Sequence, residues 1–119
     1  MSDERPWPVE LRLDAAKTTL HVTFDSGEAF ALPAEYLRVE SPSAEVQGHG
    51  PSQKQIVAGK RAVTVAGLDP VGNYAVRIRF DDGHDTGLYS WDYLHELGRD
   101  YRKKWAAYLA ALKNKGRER

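Results

Sequence analysis

Three stretches of this chain alternate apolar and polar residues with a period of two, and this alternation limits the fold more than any other feature of the sequence. Val9-Glu10-Leu11-Arg12-Leu13, Thr19-Leu20-His21-Val22-Thr23-Phe24 and Tyr74-Ala75-Val76-Arg77-Ile78-Arg79-Phe80 each send their apolar side chains to one side of an extended backbone. Turn-forming residues punctuate them. Asp14 to Thr18 separates the first two, and Asp25-Ser26-Gly27-Glu28 leads into Ala29-Phe30-Ala31-Leu32, so the chain opens as a three-stranded antiparallel meander. Ala62-Val63-Thr64-Val65 reads as a fourth strand. The turn Asp69-Pro70-Val71-Gly72-Asn73 joins it to the fifth, and Thr86-Gly87-Leu88-Tyr89 forms a sixth after the acidic turn Asp81-Asp82-Gly83-His84-Asp85.

A sheet with one apolar face needs a cover, and the C-terminal third supplies one. Leu94, Leu97, Tyr101, Trp105, Tyr108 and Leu112 recur at spacings of three and four, while Arg102, Lys103 and Lys104 crowd the opposite face. The pattern predicts a long helix over about 91–113, capped by Ser90, with Trp105 mostly buried against the sheet. Gly98 inside it costs about 1 kcal/mol relative to alanine, so the prediction leans on the stripe. A short helix is expected near 33–40, where Pro33 suits a helix start and Pro42 enforces a stop. The expected architecture is α+β: a mostly antiparallel sheet of about six short strands packed by one long helix. At 119 residues the chain fits a single domain over 9–112, with 1–8 as an extended lead-in and 113–119 as a disordered basic tail.

The cysteine count is zero, which removes disulfides, thiolate nucleophiles and thiolate metal sites together. No apolar run approaches the ~20 residues that a membrane helix requires, and the N-terminus has no apolar leader, so a cytoplasmic location is expected. Seventeen basic residues balance seventeen acidic ones, yet eight of the basic residues fall between Arg99 and Arg119 beside only Asp100 and Glu118. Such a cluster can mark a nucleic-acid or acidic partner, but a solvated helix face ending in a basic tail is the commoner cause. Tyr89, Trp91, Tyr93, Tyr101, Trp105 and Tyr108 sit near these cations. Most of the rings lie on the stripe that the sheet should cover, so they are withheld from bases, and a nucleic-acid partner is disfavoured.

Catalytic signatures are missing: no Gly-x-Ser-x-Gly, no Gly-x-x-x-x-Gly-Lys, no Gly-x-Gly-x-x-Gly after a strand and no His-x-x-x-His pair. No catalytic, cofactor-binding or metal-binding residues are assigned, and the chain is expected not to be an enzyme. His21 and His95 read as structural. His49 and His84 lie in glycine-containing loops, and His84 is flanked by Asp82 and Asp85. The long segment from Ser41 to Ala58 reads as a loop. The expected partner-binding surface is formed where Ser41 to Gln53 meets Asp81 to Tyr89, with His49, Asp82, His84 and Asp85 exposed together.

Four segments together resemble the gamma-butyrobetaine hydroxylase-like N-terminal domain family: Leu37-Arg38, Ser41-Pro42-Ser43-Ala44-Glu45-Val46, Val71-Gly72-Asn73-Tyr74-Ala75 and Phe80-Asp81-Asp82-Gly83-His84-Asp85-Thr86-Gly87-Leu88-Tyr89. The resemblance runs from about Trp7 to about Leu112. In that family the domain precedes gamma-butyrobetaine and trimethyllysine hydroxylases, is attached to some iron-sulfur carrier ATPases and occurs alone in bacteria. The resemblance therefore implies a small stand-alone bacterial member and an accessory role; the oxygenase chemistry resides in a separate domain. Hydroxylase members bind a structural zinc through Cys-x-Cys-x-x-Cys and a later histidine. Ser41, Ser43 and Val46 match the cysteines and His84 the histidine, so the resemblance implies that the metal site is lost.

The resulting expectation is a non-catalytic binding or adaptor domain with a protein partner, accessory to metabolic or iron-sulfur and cofactor-assembly proteins. The alternatives are a nucleic-acid-binding protein that uses the basic C-terminal helix and tail, or an accessory subunit of an oxygenase.

Overall fold

A computed structural model of the chain describes residues 5–48 and 54–119. The fold is α+β, with six short antiparallel strands, short helices and a helical C-terminus. The strands divide into two sheets rather than one. Strands β1 (Pro8–Leu13), β2 (Thr19–Phe24) and β3 (Ala29–Pro33) form the first meander, and β4 (Val65–Val71), β5 (Ala75–Phe80) and β6 (Gly87–Ser90) form the second. The alternation in β2 places Leu20, Val22 and Phe24 inward, and that in β5 does the same for Val76, Ile78 and Phe80. Side chains from both sheets meet in one apolar cluster with Leu37, Leu94 and Leu97, which unites the two meanders. At ~1.5–3 kcal/mol for each fully buried large apolar side chain, this cluster dominates stability.

The fourth strand lies three residues later than expected. Val63 and Val65 are both buried, as their spacing demands, but the Val63 amide donates to the Lys60 carbonyl at 3.1 Å in a turn and so takes no part in the ladder. The strand instead runs through Asp69-Pro70-Val71, which had read as turn; β4 is an edge strand, where a missing proline N–H is tolerated.

Helix α1 (Ala34–Val39) follows Pro33 as expected, and a four-residue helix, α2 (Ala44–Gln47), interrupts the segment expected to be loop. Its start is capped by Ser43, whose Oγ accepts the Glu45 amide at 3.2 Å. The expected long helix is two helices, α3 (Trp91–Arg99) and α4 (Tyr101–Asn114), with Asp100 outside helical geometry at φ −103° and ψ 19°. The break has an identifiable cause. The Leu97 carbonyl, which a continuous helix would offer to the Tyr101 amide, accepts the Tyr36 hydroxyl at 2.7 Å. Gly98 is explained in the same region, because a Cβ there would overlap the Phe30 ring.

The apolar stripe faces inward, with Leu94, Leu97, Tyr108 and Leu112 buried. Trp105 departs from expectation: it is only half-buried, and packs edge-on against Tyr36 of α1 at 6.2 Å between ring centroids. Its remaining face is covered by the Arg119 guanidinium, 5.4 Å from the ring centroid. The last residues likewise differ from the free basic tail expected over 113–119. Arg119 forms a two-pronged ion pair with buried Glu35, at 2.7 and 3.0 Å, and the Glu118 carbonyl accepts the Gly59 amide at 3.3 Å. No helix among the described residues is long and apolar enough to cross a membrane.

Candidate functional site

Two polar segments were expected to converge, and they do. Ser41 follows α1, Ser43 caps α2, and the Asp81–Thr86 turn links β5 to β6; Gly87 lets them meet, since a Cβ there would crowd the Ser41 hydroxyl and Pro42. Ser41 Oγ lies 2.9 Å from His84 Nε2, and Ser43 Oγ lies 2.7 Å from Thr86 Oγ1. Thr86 Oγ1 also donates to Glu45 Oε1 at 3.1 Å, and the Gln47 amide group donates to the Ser41 carbonyl at 2.8 Å. This is a closed network in which each hydroxyl already has a partner.

The expected site residues fare differently within it. His49 lies outside the described residues. Asp85 is exposed. His84 is not exposed as expected: only 6% of it reaches solvent, with Nε2 on Ser41 and Nδ1 3.5 Å from Glu45 Oε2. The reason is that Gly83 turns the chain back so that the Phe80 amide bonds the His84 carbonyl at 2.9 Å, which seats the ring beside Phe80. Burial, joined by the nearby Arg38 guanidinium, pulls the His84 pKa below its ordinary value, against the opposing pull of Glu45 and Asp82. Asp82 turns away to Arg38 Nε at 2.9 Å and Lys60 Nζ at 2.6 Å. Burial disfavours its ionisation, but the Lys60 ammonium, the His84 amide and the Arg38 guanidinium outweigh that and hold its carboxyl at about 2.

The four positions matched to zinc ligands in hydroxylase relatives can be tested directly on this geometry. Ser41, Ser43 and His84 do converge, but both hydroxyls are neutral and committed to hydrogen bonds, and Val46 is a buried aliphatic side chain at 2% exposure. This donor set does not fit zinc. Among the described residues, no group of three or more His, Asp or Glu side chains is placed to hold a metal ion.

Four tyrosines tie separate segments together through backbone carbonyls, Tyr89 and Tyr93 at the chain leading into this corner and Tyr36 and Tyr108 elsewhere, and sequence reasoning assigned none of them that role. Tyr89 donates to the Leu37 carbonyl at 2.5 Å, Tyr93 to Glu40 at 2.5 Å, Tyr108 to Val57 at 2.6 Å, and Tyr36 to Leu97 as described. Burial raises the Tyr36, Tyr89 and Tyr93 hydroxyl pKa values well above normal, so they remain protonated donors.

The basic C-terminal residues are also partly committed. Lys104 pairs with Glu96 at 3.1 Å, Arg99 with Asp100 at 3.2 Å and Arg119 with Glu35. Arg117 donates to the Ile56 carbonyl at 3.2 Å.

A concave surface lies away from this corner, where the lead-in, the β4–β5 turn and the start of α3 meet. A cavity of about 590 Å³ is lined by Arg5, Pro6 and Trp7, by Asp25, by Asn73 and Tyr74, and by Ser90, Trp91 and Asp92. The Asp25 amide donates to the Trp7 carbonyl at 2.8 Å, which pins the lead-in to the end of β2. Trp91 donates its indole N–H to the Asn73 carbonyl at 2.8 Å, and its amide bonds the Tyr74 carbonyl at 3.1 Å. Trp7 and Tyr74 are 49% and 55% exposed, unlike the buried Tyr36 and Tyr89. For Trp7 the available signal was an aromatic residue in the lead-in, outside any apolar stripe; Tyr74 gave none, because its spacing puts it in register with Val76, Ile78 and Phe80.

Comparison with known proteins gives a consistent assignment. The family described as "Gamma-butyrobetaine hydroxylase-like, N-terminal" matches residues 11–95. A protein solved in solution by NMR is 46% identical, with a TM-score of 0.83 over 97% of this chain and 90% of its own. A second NMR structure is 44% identical, with a TM-score of 0.82 over 100% of this chain and 90% of its own. A crystal structure of a protein of unknown function from Acidithiobacillus ferrooxidans, of the DUF971 family, is 40% identical, with a TM-score of 0.67 over 82% of this chain and 98% of its own. No curated protein matches.

Proposed function

Because the chain belongs to the gamma-butyrobetaine hydroxylase-like N-terminal domain (DUF971) family, we propose that it is a non-catalytic binding or adaptor module for a protein partner. The observation that carries this reading is the closed network around His84. A general base, or a hydroxyl that it activates, must be within reach of a substrate, whereas the Ser41 hydroxyl beside His84 Nε2 belongs to a residue with no solvent exposure and His84 itself is buried. The polar groups of this corner thus serve to hold the α1–α2 segment against the β5–β6 turn. Recognition falls to the concave surface that carries Trp7, Tyr74 and Trp91, since exposed aromatic residues are the side chains most enriched at binding hot spots. The family resemblance makes metabolic and iron-sulfur or cofactor-assembly proteins the first partners to try.

Retention on heparin and recovery of protein partners, each at two salt concentrations, test this reading. A protein partner held by aromatic contacts persists as salt rises. Polyanion binding would dominate instead, with strong retention on heparin that collapses steeply as salt rises, and that outcome would replace the proposal with nucleic-acid binding.

A further inference from the structure

The free edge of the first sheet matches itself, and we propose that β1 pairs antiparallel with β1 of a second copy of this chain, about a two-fold axis through Leu11. β1 is the outer strand of its sheet, and the hydrogen bonds around it show which of its backbone groups are spare. The Phe24 amide donates to the Glu28 carbonyl at 2.8 Å, and the Asp14 amide donates to the Thr19 carbonyl at 3.1 Å. Bonding direction alternates residue by residue in an antiparallel ladder, so Val22 bonds toward β3 while Arg12 bonds toward β2 opposite His21. Leu11, opposite Val22, therefore points its N–H and C=O away from β2, and Leu13, opposite Leu20, does the same. Among the described residues no hydrogen bond engages those groups. The side chains show the same gap in cover: Leu20 and Val22 of β2 have no exposure, whereas Leu11 and Leu13, which pack against the same core, stay half-buried.

A pairing centred on Leu11 sets Glu10 opposite the second copy's Arg12, and Arg12 opposite its Glu10. Both side chains are more than half exposed, and within one chain they make only a stretched contact of 4.0 Å. Opposite charges directly across an antiparallel pair stabilise it, and like charges destabilise it. Sliding the register by two residues brings Glu10 against Glu10 or Arg12 against Arg12, and sliding it by one turns the core face of a strand outward. One register is thereby selected. In it Leu11 meets its own copy, and Val9, 63% exposed, falls opposite Leu13. A uniformly charged strand from another protein would meet either Glu10 or Arg12 with its own sign, a clash that a self-complementary strand avoids. Two other edges are less open: Pro70 interrupts β4, and Ser41 and Pro42 pack against β6 at Gly87. The bulge between Pro8 and Glu10 keeps the regular seam short, so the association is weak and reversible.

The test is sedimentation equilibrium of the full chain at low salt from about 10 µM to 1 mM, the range suited to an interface this small, with amide hydrogen exchange by NMR on the same samples. The mass should rise reversibly from 13.4 kDa toward twice that value, and the Leu11 and Leu13 amides should become more protected as concentration increases. Glu10→Arg and Arg12→Glu should each weaken self-association by about 5- to 30-fold, because each turns two favourable cross-strand pairs into two unfavourable ones. Mixed together, the two single variants should associate again as a heterodimer, and the chain carrying both changes should behave like the unaltered one. Both positions are exposed, and an unchanged melting temperature verifies the fold. A mass that stays at 13.4 kDa throughout overturns the proposal. A dimer that tolerates both single changes also overturns it, since the contact then lies elsewhere, and so does a mixture of the single variants that fails to associate, since the register is then wrong.

Discussion

Arg119 offers the sharpest quantitative prediction, because it joins the end of the chain to a carboxylate that has little other access to water. The Glu35 side chain is only 7% exposed, and Arg119 grips both of its oxygens while covering the Trp105 face. Removing one partner of a fully buried ion pair costs ~3–5 kcal/mol. Arg119 is itself 37% exposed, so once it leaves, water reaches Glu35 and the penalty shrinks. Lost charge-assisted hydrogen bonds of ~1.5–3 kcal/mol and a cation–π contact of ~0.5–1 kcal/mol, discounted for that rehydration, give about 2 kcal/mol for Arg119→Ala. For a domain of this size the melting temperature should fall by roughly 6–10 °C, measured by circular dichroism at low salt. Glu35→Gln supplies the control: in a double-mutant cycle the two changes should be coupled by about 1 kcal/mol or more, whereas independent sites would add. A melting temperature within about 1 °C of the unaltered protein for Arg119→Ala would refute this account and restore the free tail that the sequence suggested.

Three further outcomes are expected. Gly98→Ala should destabilise by about 1–2 kcal/mol in chemical denaturation although alanine is the better helix former, because its methyl group would occupy the space of the Phe30 ring. Stability should decline on acidification below about pH 6.5, since His84 binds protons less readily when folded than when unfolded; pH-dependent denaturation of His84→Gln should lack that part of the decline, while the part from Asp82, present above its ordinary pKa near 4 and lost toward about 2, should remain. Elemental analysis of protein purified without chelator should find no stoichiometric zinc or iron, and one equivalent of metal lost on His84→Ala would contradict this.

Period-two alternation identified the strands because it reports a backbone geometry, and it located β2 to the residue and β5 to within one residue. It misplaced β4, where Val63 and Val65 alternate correctly but Lys60 captures the Val63 amide in a turn. The helical stripe named the buried face of the C-terminal segment. It could not reveal the break at Asp100, which depends on the Tyr36 hydroxyl reaching the Leu97 carbonyl across 61 residues, nor the seat of Arg119, which requires knowing that Glu35 is buried. The meeting of Ser41 and Ser43 with the Asp81–Thr86 turn followed from the family resemblance. That His84 would face inward did not, because a histidine beside two aspartates in a glycine turn reads as solvent-facing until its ring is seen against Phe80 and Ser41. The cavity was hidden for a similar reason: Trp7, Asp25, Tyr74 and Trp91 come from four segments that only the folded chain assembles.

The account stands on recognition at the aromatic cavity rather than chemistry at the His84 corner. Its most direct test is quantitative affinity capture from native lysate with three forms of the protein: unaltered, Trp7→Ala with Tyr74→Ala, and Glu45→Ala with Asp85→Ala, all matched for melting temperature. The account predicts that proteins enriched by the unaltered chain are lost with the aromatic pair and retained with the acidic pair. Retention with the aromatic pair and loss with the acidic pair would contradict it and return the binding face to the loop–turn corner.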